Sequence, residues 1–276
     1  MTSILNKYNN LTQRIIAGIL GALLMGFGMY YSEWLYFIMF LGICIATQLE
    51  FYKLVGLDGM LPLKTFGTFS GISLFTLTFL IESDRIDQRF YFLLFPIVSC
   101  IYLIYLYRSK EVKPFRGIAF TFLGIIYVAI PFSLLNVMAF HHHQYTFEII
   151  LCSLLILWAN DTGAYFTGVR YGKRKLFERV SPKKSWEGSL GGLILAIGMA
   201  YSVAHFTNVL EQWQWFVICI IIVIGGTYGD LVESLFKRSI EIKDSGKSIP
   251  GHGGFLDRFD GLLVSVPFIT AFLKIF

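Results

Sequence analysis

The chain has 276 residues, of which 55% are apolar or aromatic and only 15% charged, with a formal net charge of +5; a soluble domain carries roughly 25% charged residues. A soluble core could not hide that much apolar surface, so a soluble fold is excluded. The apolar residues fall in continuous runs rich in Leu, Ile and Phe, unlike the short alternating segments of a membrane β-barrel. The expectation is an all-α integral membrane protein with about nine transmembrane helices, since about 20 residues of helix cross about 30 Å of hydrocarbon.

In chain order the expected spans are residues 15–30, 34–49, 66–81, 90–107, 117–140, 147–168, 189–206, 213–229 and 262–276. Lys7 and Arg14 precede the first, as in a signal peptide, but no small-residue cleavage site follows and further apolar segments do, so it is read as a helix. The fifth contains Pro131, which a membrane helix tolerates because neighbouring groups can satisfy the freed carbonyl. Of the 23 Lys and Arg residues, all but Arg85, Arg89 and Lys274 fall on one side of this arrangement. Cytoplasmic loops carry the basic excess, which places the N-terminus in the cytoplasm and the C-terminus outside.

Cys44, Cys100, Cys152 and Cys219 lie within apolar segments without metal-type spacing and read as small buried hydrophobes. His141, His142 and His143 lie on the outer side without a nearby Cys or a paired carboxylate and read as an exposed loop rather than a metal site. Residues 1–145 therefore read as plain membrane helices 1–5. Residues 146–276 form a second part, helices 6–9 with their cytoplasmic loops, in which polar residues become patterned.

Asn160 and Asp161 sit inside the sixth span, where a carboxylate costs at least roughly 2.5 kcal/mol and is by default a functional hypothesis. Each shares a helix face with the residue four further on, Ala164 and Tyr165; an interhelical hydrogen bond is the plainer alternative. The loop 170–188 holds seven basic residues, and its Ser181, Pro182, Lys183, Lys184, Ser185, Trp186, Glu187, Gly188 run combines a turn, two ammonium groups and an interfacial aromatic. Lysine is a common phosphate ligand. The eighth span ends in Gly225, Gly226, Thr227, Tyr228, Gly229, Asp230, glycines that allow close helix contact. If the helix continues, Asp230, Glu233, Ser234, Lys237 and Arg238 line one face at spacings of three and four.

A polar loop, Lys243, Asp244, Ser245, Gly246, Lys247, leads into Pro250, Gly251, His252, Gly253, Gly254, Phe255, Leu256, Asp257, Arg258, Phe259, Asp260. Glycines around one histidine let the backbone approach a ligand and aim amides at an anion. Asp257 and Asp260 face together if the ninth helix has begun, and hard oxygen ligands suit magnesium, which uses one or two carboxylates plus substrate phosphate. Carboxylates, basic residues and glycine-rich backbone on one membrane face describe a metal-dependent site for a phosphorylated substrate. A transporter would more often place its charges near the midplane.

Ser234 to Arg238, then Lys243, Asp244 and the run 250–260, resemble the C-terminal signature of the phosphatidate cytidylyltransferase, or CDP-diacylglycerol synthase, family. Asn160 with Asp161, the run 181–188 and the run 229–233 also resemble family motifs, whereas the N-terminal half agrees mainly in hydropathy. The resemblance implies transfer of a cytidylyl group from CTP to phosphatidate, giving CDP-diacylglycerol and pyrophosphate, with Mg2+ and with room for a monovalent cation beside it. By the same warrant Asp230 and Asp257 are the metal ligands, and Lys237, Lys184 and Asp161 join them as catalytic residues. Lys183, Ser185, Arg238, Lys243, Asp244, His252, Gly253, Gly254, Arg258 and Asp260 are candidates for holding substrate. Asp161 and Asp260 stand either as ligands or as groups that orient ligands, and His252 either donates to phosphate or shapes its loop.

The resemblance also implies a bacterial-type inner membrane with the site on the cytoplasmic side, and no nucleic-acid partner. Gly188, Gly191 and Gly192 would serve either a homodimer contact or packing within the chain. The rival readings are another CTP-dependent lipid enzyme, such as a lipid kinase, and a transporter of phosphorylated compounds.

Overall fold

The computed structural model describes residues 10–57, 59, 61–108, 113–242 and 254–276, with side chains from residue 18 onward. The expectations for Lys243, Asp244, His252 and Gly253 fall outside the described residues.

The helices are α1 (Asn10–Tyr31), α2 (Glu33–Leu57), α3 (Lys64–Glu82), α4 (Leu94–Leu106, entered through a 3-10 turn, Gln88–Leu93), α5 (Pro114–Gly124), α6 (Ile130–Ala139), α7 (Phe147–Tyr171), α8 (Trp186–Phe206), α9 (Gln212–Ser239) and α10 (Leu256–Ile275). Among the described residues, seven helices are long and apolar enough to cross a membrane, α5 and α6 counting as one span over Pro114–Ala139. Two of the expected spans fall below that measure. The apolar part described in α1 is short, Gly18–Tyr31, and α10 is diluted by Asp257, Arg258, Asp260 and Lys274. Leu20, Leu23, Leu24 and Phe27 of α1 and Ile194 and Tyr201 of α8 are exposed, as the outer surface of an all-α multi-pass membrane protein requires, because such helices turn apolar side chains to lipid as well as to each other.

Local chemistry sets the helix ends. Pro114 opens α5, where its missing N–H costs nothing. Pro131 is preceded by a π-turn, Ile125–Ala129, closed by the Ile130 N–H on the Ile125 carbonyl; the wider turn absorbs the bond that a proline cannot make. Glu211 and Gln214 form a reciprocal capping box that starts α9, and Lys237 and Arg238 in its last turn complement the helix dipole. At 28 residues, α9 is about 42 Å long at 1.5 Å per residue, about 12 Å more than the hydrocarbon needs. Asp230, Glu233 and Lys237 lie on its last turns, beyond the apolar run 213–229.

Within the all-α architecture there is one small sheet. Lys175–Phe177 (β1) and Ser181–Ser185 (β2) pair as a small antiparallel hairpin, with Lys175 opposite Ser185 and Phe177 opposite Ser181. Basic residues concealed it, because their long side chains stand off a two-stranded ribbon without an apolar pattern.

The closest helix pairs are α7 with α8 and α9 with α10; α9 also lies against α8, and α6 against α10. One apolar core runs from Met29 to Leu273 across both parts of the chain. Small residues permit the tightest approaches. A Cβ on Gly163 of α7 would fall 2.6 Å from the Gly191 carbonyl oxygen of α8, and Thr167 donates to the Gly163 and Gly188 carbonyls at 2.6 and 3.2 Å. Gly188, Gly191 and Gly192 thus serve packing within the chain, the second of their two expected roles. On α9, a Cβ at Gly229 would fall 2.7 Å from the Gly261 Cα and against the Asp260 carbonyl oxygen. Gly229→Ala is expected to push α10 away, cost about 1–3 kcal/mol of stability and lower activity with it. Thermal unfolding and turnover of the purified variant measure both; wild-type values would show that the two helices relax freely.

Candidate active site

The last three turns of α9 and the first turn of α10 meet across that glycine seam, while α7 and the hairpin close a second side. Asp257 and Asp260 lie in the opening turn of α10, which begins six residues before the apolar run that reveals it. The carboxylates gather in two groups.

In the first group, Asp230 pairs with the Lys184 ammonium and its carboxyl lies beside that of Asp260. Lys184 also donates to the Thr227 carbonyl at 3.1 Å. Asp161, held by Asn160 at 3.4 Å, is exposed on α7 and within electrostatic reach of Asp230, Lys184 and Arg258. In the second group, Lys237 lies between Glu233 and Asp257, 2.7 Å from an oxygen of each, and the Gly254 N–H donates to Asp257 at 3.1 Å. The two acids are themselves neighbours. Lys237 also lies within electrostatic reach of Asp230, joining the groups.

The remaining candidates separate by geometry. Successive residues of a strand point to opposite faces, so β2 turns Lys184 inward and leaves Lys183 exposed. Ser185 is buried, and its Oγ accepts the Gly188 N–H at 3.2 Å as the N-cap of α8. Its hydroxyl thus fixes the strand-to-helix corner behind Lys184. Arg238 does not share the face of Asp230: eight residues at 3.6 per turn rotate it about 80° away, and it is exposed, donating to the Ile242 carbonyl at 3.2 Å. Arg258 is exposed on the Asp161 side.

Glu233, on the helix face expected from the sequence but not among the expected site residues, is 3% exposed and its Oε1 has no partner among the described residues. The Tyr127 hydroxyl, brought in by the π-turn, is likewise buried without a partner and lies within electrostatic reach of Asp260, Glu233 and Asp230; nothing in the sequence marks it. In the turn before α7, His143 does have a carboxylate partner, Asp84 at 2.9 Å, which corrects the expectation of none.

Paired carboxylates and an orphaned buried Glu233 oxygen are suited to a hard cation. Among the described residues no three His, Cys, Asp or Glu side chains converge as a closed metal cage. Open pairs of this kind fit Mg2+, which keeps water and substrate oxygens in its shell.

The model of the cytidylyltransferase family matches residues 12–276. The chain belongs to the cytidylyltransferase family. Among its relatives, the phosphatidate cytidylyltransferase of Haemophilus influenzae is 35% identical over 273 residues, 94% of each chain. That of Bacillus subtilis is 31% identical over 283 aligned residues, 97% of this chain and 99% of the relative. Family membership covers the N-terminal helices as well as the signature.

Proposed function

We propose that this chain transfers the cytidylyl group of CTP to phosphatidate, forming CDP-diacylglycerol and pyrophosphate for phospholipid synthesis. The observation that carries the reading is the convergence of Asp230, Asp260 and Lys184 with Glu233, Asp257 and Lys237 at one end of a membrane bundle, in a chain whose full-length relatives bear that enzyme's name. In the reaction a phosphatidate phosphate oxygen attacks the α-phosphorus of CTP as the bond to the β-phosphate oxygen breaks, and pyrophosphate departs with that oxygen. The second ionisation of a phosphomonoester lies near pH ~6, so the nucleophile is already anionic and needs no strong base. The protein's work is positioning and charge neutralisation.

Asp230 and Asp257 are the residues we assign to Mg2+, with Asp260 and Glu233 touching them; a monovalent cation beside it belongs to the same proposal. Bound there, Mg2+ would neutralise charge on phosphate oxygens. Lys184 and Lys237, each now paired with carboxylates, are placed to exchange those partners for phosphate oxygens. Lys183, Arg238 and Arg258 stand on exposed flanks and would attract the polyanion. Lipid tails would enter between helices from the bilayer. The basic bias of the loops supports nine spans in an inner membrane, with the N-terminus and the site on the cytoplasmic side.

Detergent-purified protein given phosphatidate, Mg2+ and CTP labelled at the α-phosphate is expected to move label into lipid and release pyrophosphate, both abolished by a chelator. No labelled lipid from folded protein would overturn the reading. Label reaching lipid only from the γ-phosphate, with CDP released, would make the protein a lipid kinase.

A further inference from the structure

Glu50 is the one buried carboxylate of the N-terminal helices among the described residues, at 7% exposure. A buried carboxylate is costly unless bonded, and its position two turns before the end of α2 explains one of its bonds. Its Oε2 accepts the backbone N–H of Leu256 at 3.1 Å, a contact across 206 residues of sequence. Leu256 is the first residue of α10, and Phe255 before it offers no side-chain cap. The opening N–H groups of a helix lack internal partners and carry the positive end of its dipole. Glu50 therefore supplies from another helix the cap that α10 lacks, one residue from Asp257. Its neighbour Phe51 stacks on Phe236 of α9, with ring centroids 5.2 Å apart and planes at 21°, one residue from Lys237. Adjacent residues of α2 thus hold both helices that carry the site.

We infer that Glu50 is a positioning residue for cytidylyl transfer, fixing the first turn of α10 so that Asp257 and Asp260 stand correctly against Asp230 and Lys237. This rests on the assignment of the site above. It gives the N-terminal helices a part in the reaction beyond enclosing it.

Glu50→Gln keeps an oxygen that can accept the Leu256 N–H, whereas Glu50→Ala removes it. In the full-length purified protein, Glu50→Ala is expected to lower kcat about 10- to 100-fold, the scale of a small misplacement of reacting groups. KM for CTP and phosphatidate should stay within about threefold, the split that marks lost positioning rather than lost binding. Glu50→Gln should recover kcat to within about threefold of wild type. Hydrogen exchange over residues 254–261 should quicken in Glu50→Ala alone, with α7 and α8 unchanged. Wild-type kcat in Glu50→Ala, or equal loss in both variants with exchange raised throughout the chain, would overturn the inference. Asp257→Asn measured alongside separates the two readings. Full activity there overturns the site assignment; an inactive Asp257→Asn beside a fully active Glu50→Ala overturns the role of Glu50 alone.

Discussion

Asp230→Asn is expected to lower CTP-dependent turnover at least about a hundredfold, the scale on which preorganised charge at a reacting centre is lost. The substitution keeps the size of the side chain, and the amide can bond Asp260, so the seam of α9 and α10 should hold and the protein should purify as wild type does. What changes is charge. The Asp230 side chain is 43% exposed although it is paired with Lys184, so it faces an opening rather than the apolar core. Removing its charge leaves Lys184 with Asp161 still in electrostatic reach, which draws the ammonium towards α7. Turnover measured against Mg2+ concentration checks the role: activity restored by excess Mg2+ would make Asp230 one donor among several. Near-wild-type turnover at ordinary Mg2+ would remove it from the site.

The sequence revealed the apolar runs and the signature well because both are local. Each span is a continuous stretch, and Asp230, Glu233 and Lys237 repeat with the period of the helix that carries them. Helix ends were less legible. Apolarity stops at Leu49 and Gly229, but α2 runs on to Leu57 and α9 to Ser239, since a helix leaving the hydrocarbon keeps its hydrogen bonds while its side chains change character. That is why Glu50, one residue past the expected span, draws no notice in the sequence yet sits in a helix beneath the site. Choosing between Lys183 and Lys184 requires knowing that they lie on a strand, whose pleat sends neighbours to opposite faces, and the short hairpin has no apolar alternation to announce it. Tyr127 depends on a π-turn, and the Glu50 cap on a contact 206 residues long; neither leaves a mark in a window of sequence.

Lys237→Met should be the most damaging single change at the site. The ammonium is 2.7 Å from both Glu233 and Asp257, and its side chain is only 12% exposed. Without it two carboxylates face each other with no cation between them, and breaking a buried pair from one side costs about 3–5 kcal/mol. The variant is expected to unfold at a markedly lower temperature and to show no measurable cytidylyl transfer. Lost activity alone would not distinguish a phosphate-binding lysine from one that serves only to neutralise its neighbours. A second variant does so: Lys237→Met combined with Glu233→Leu removes the like-charge contact and leaves Asp257 still accepting the Gly254 N–H, and replacing both partners of a buried pair by apolar groups is often nearly neutral. Stability should then return to within about 1 kcal/mol of wild type, the interaction energy appearing as the shortfall from additivity. Turnover should remain absent, because the ammonium that exchanges a carboxylate for a phosphate oxygen is still missing. Recovery of both stability and turnover in the double variant would show that Lys237 acts on its neighbouring acids and never on the nucleotide.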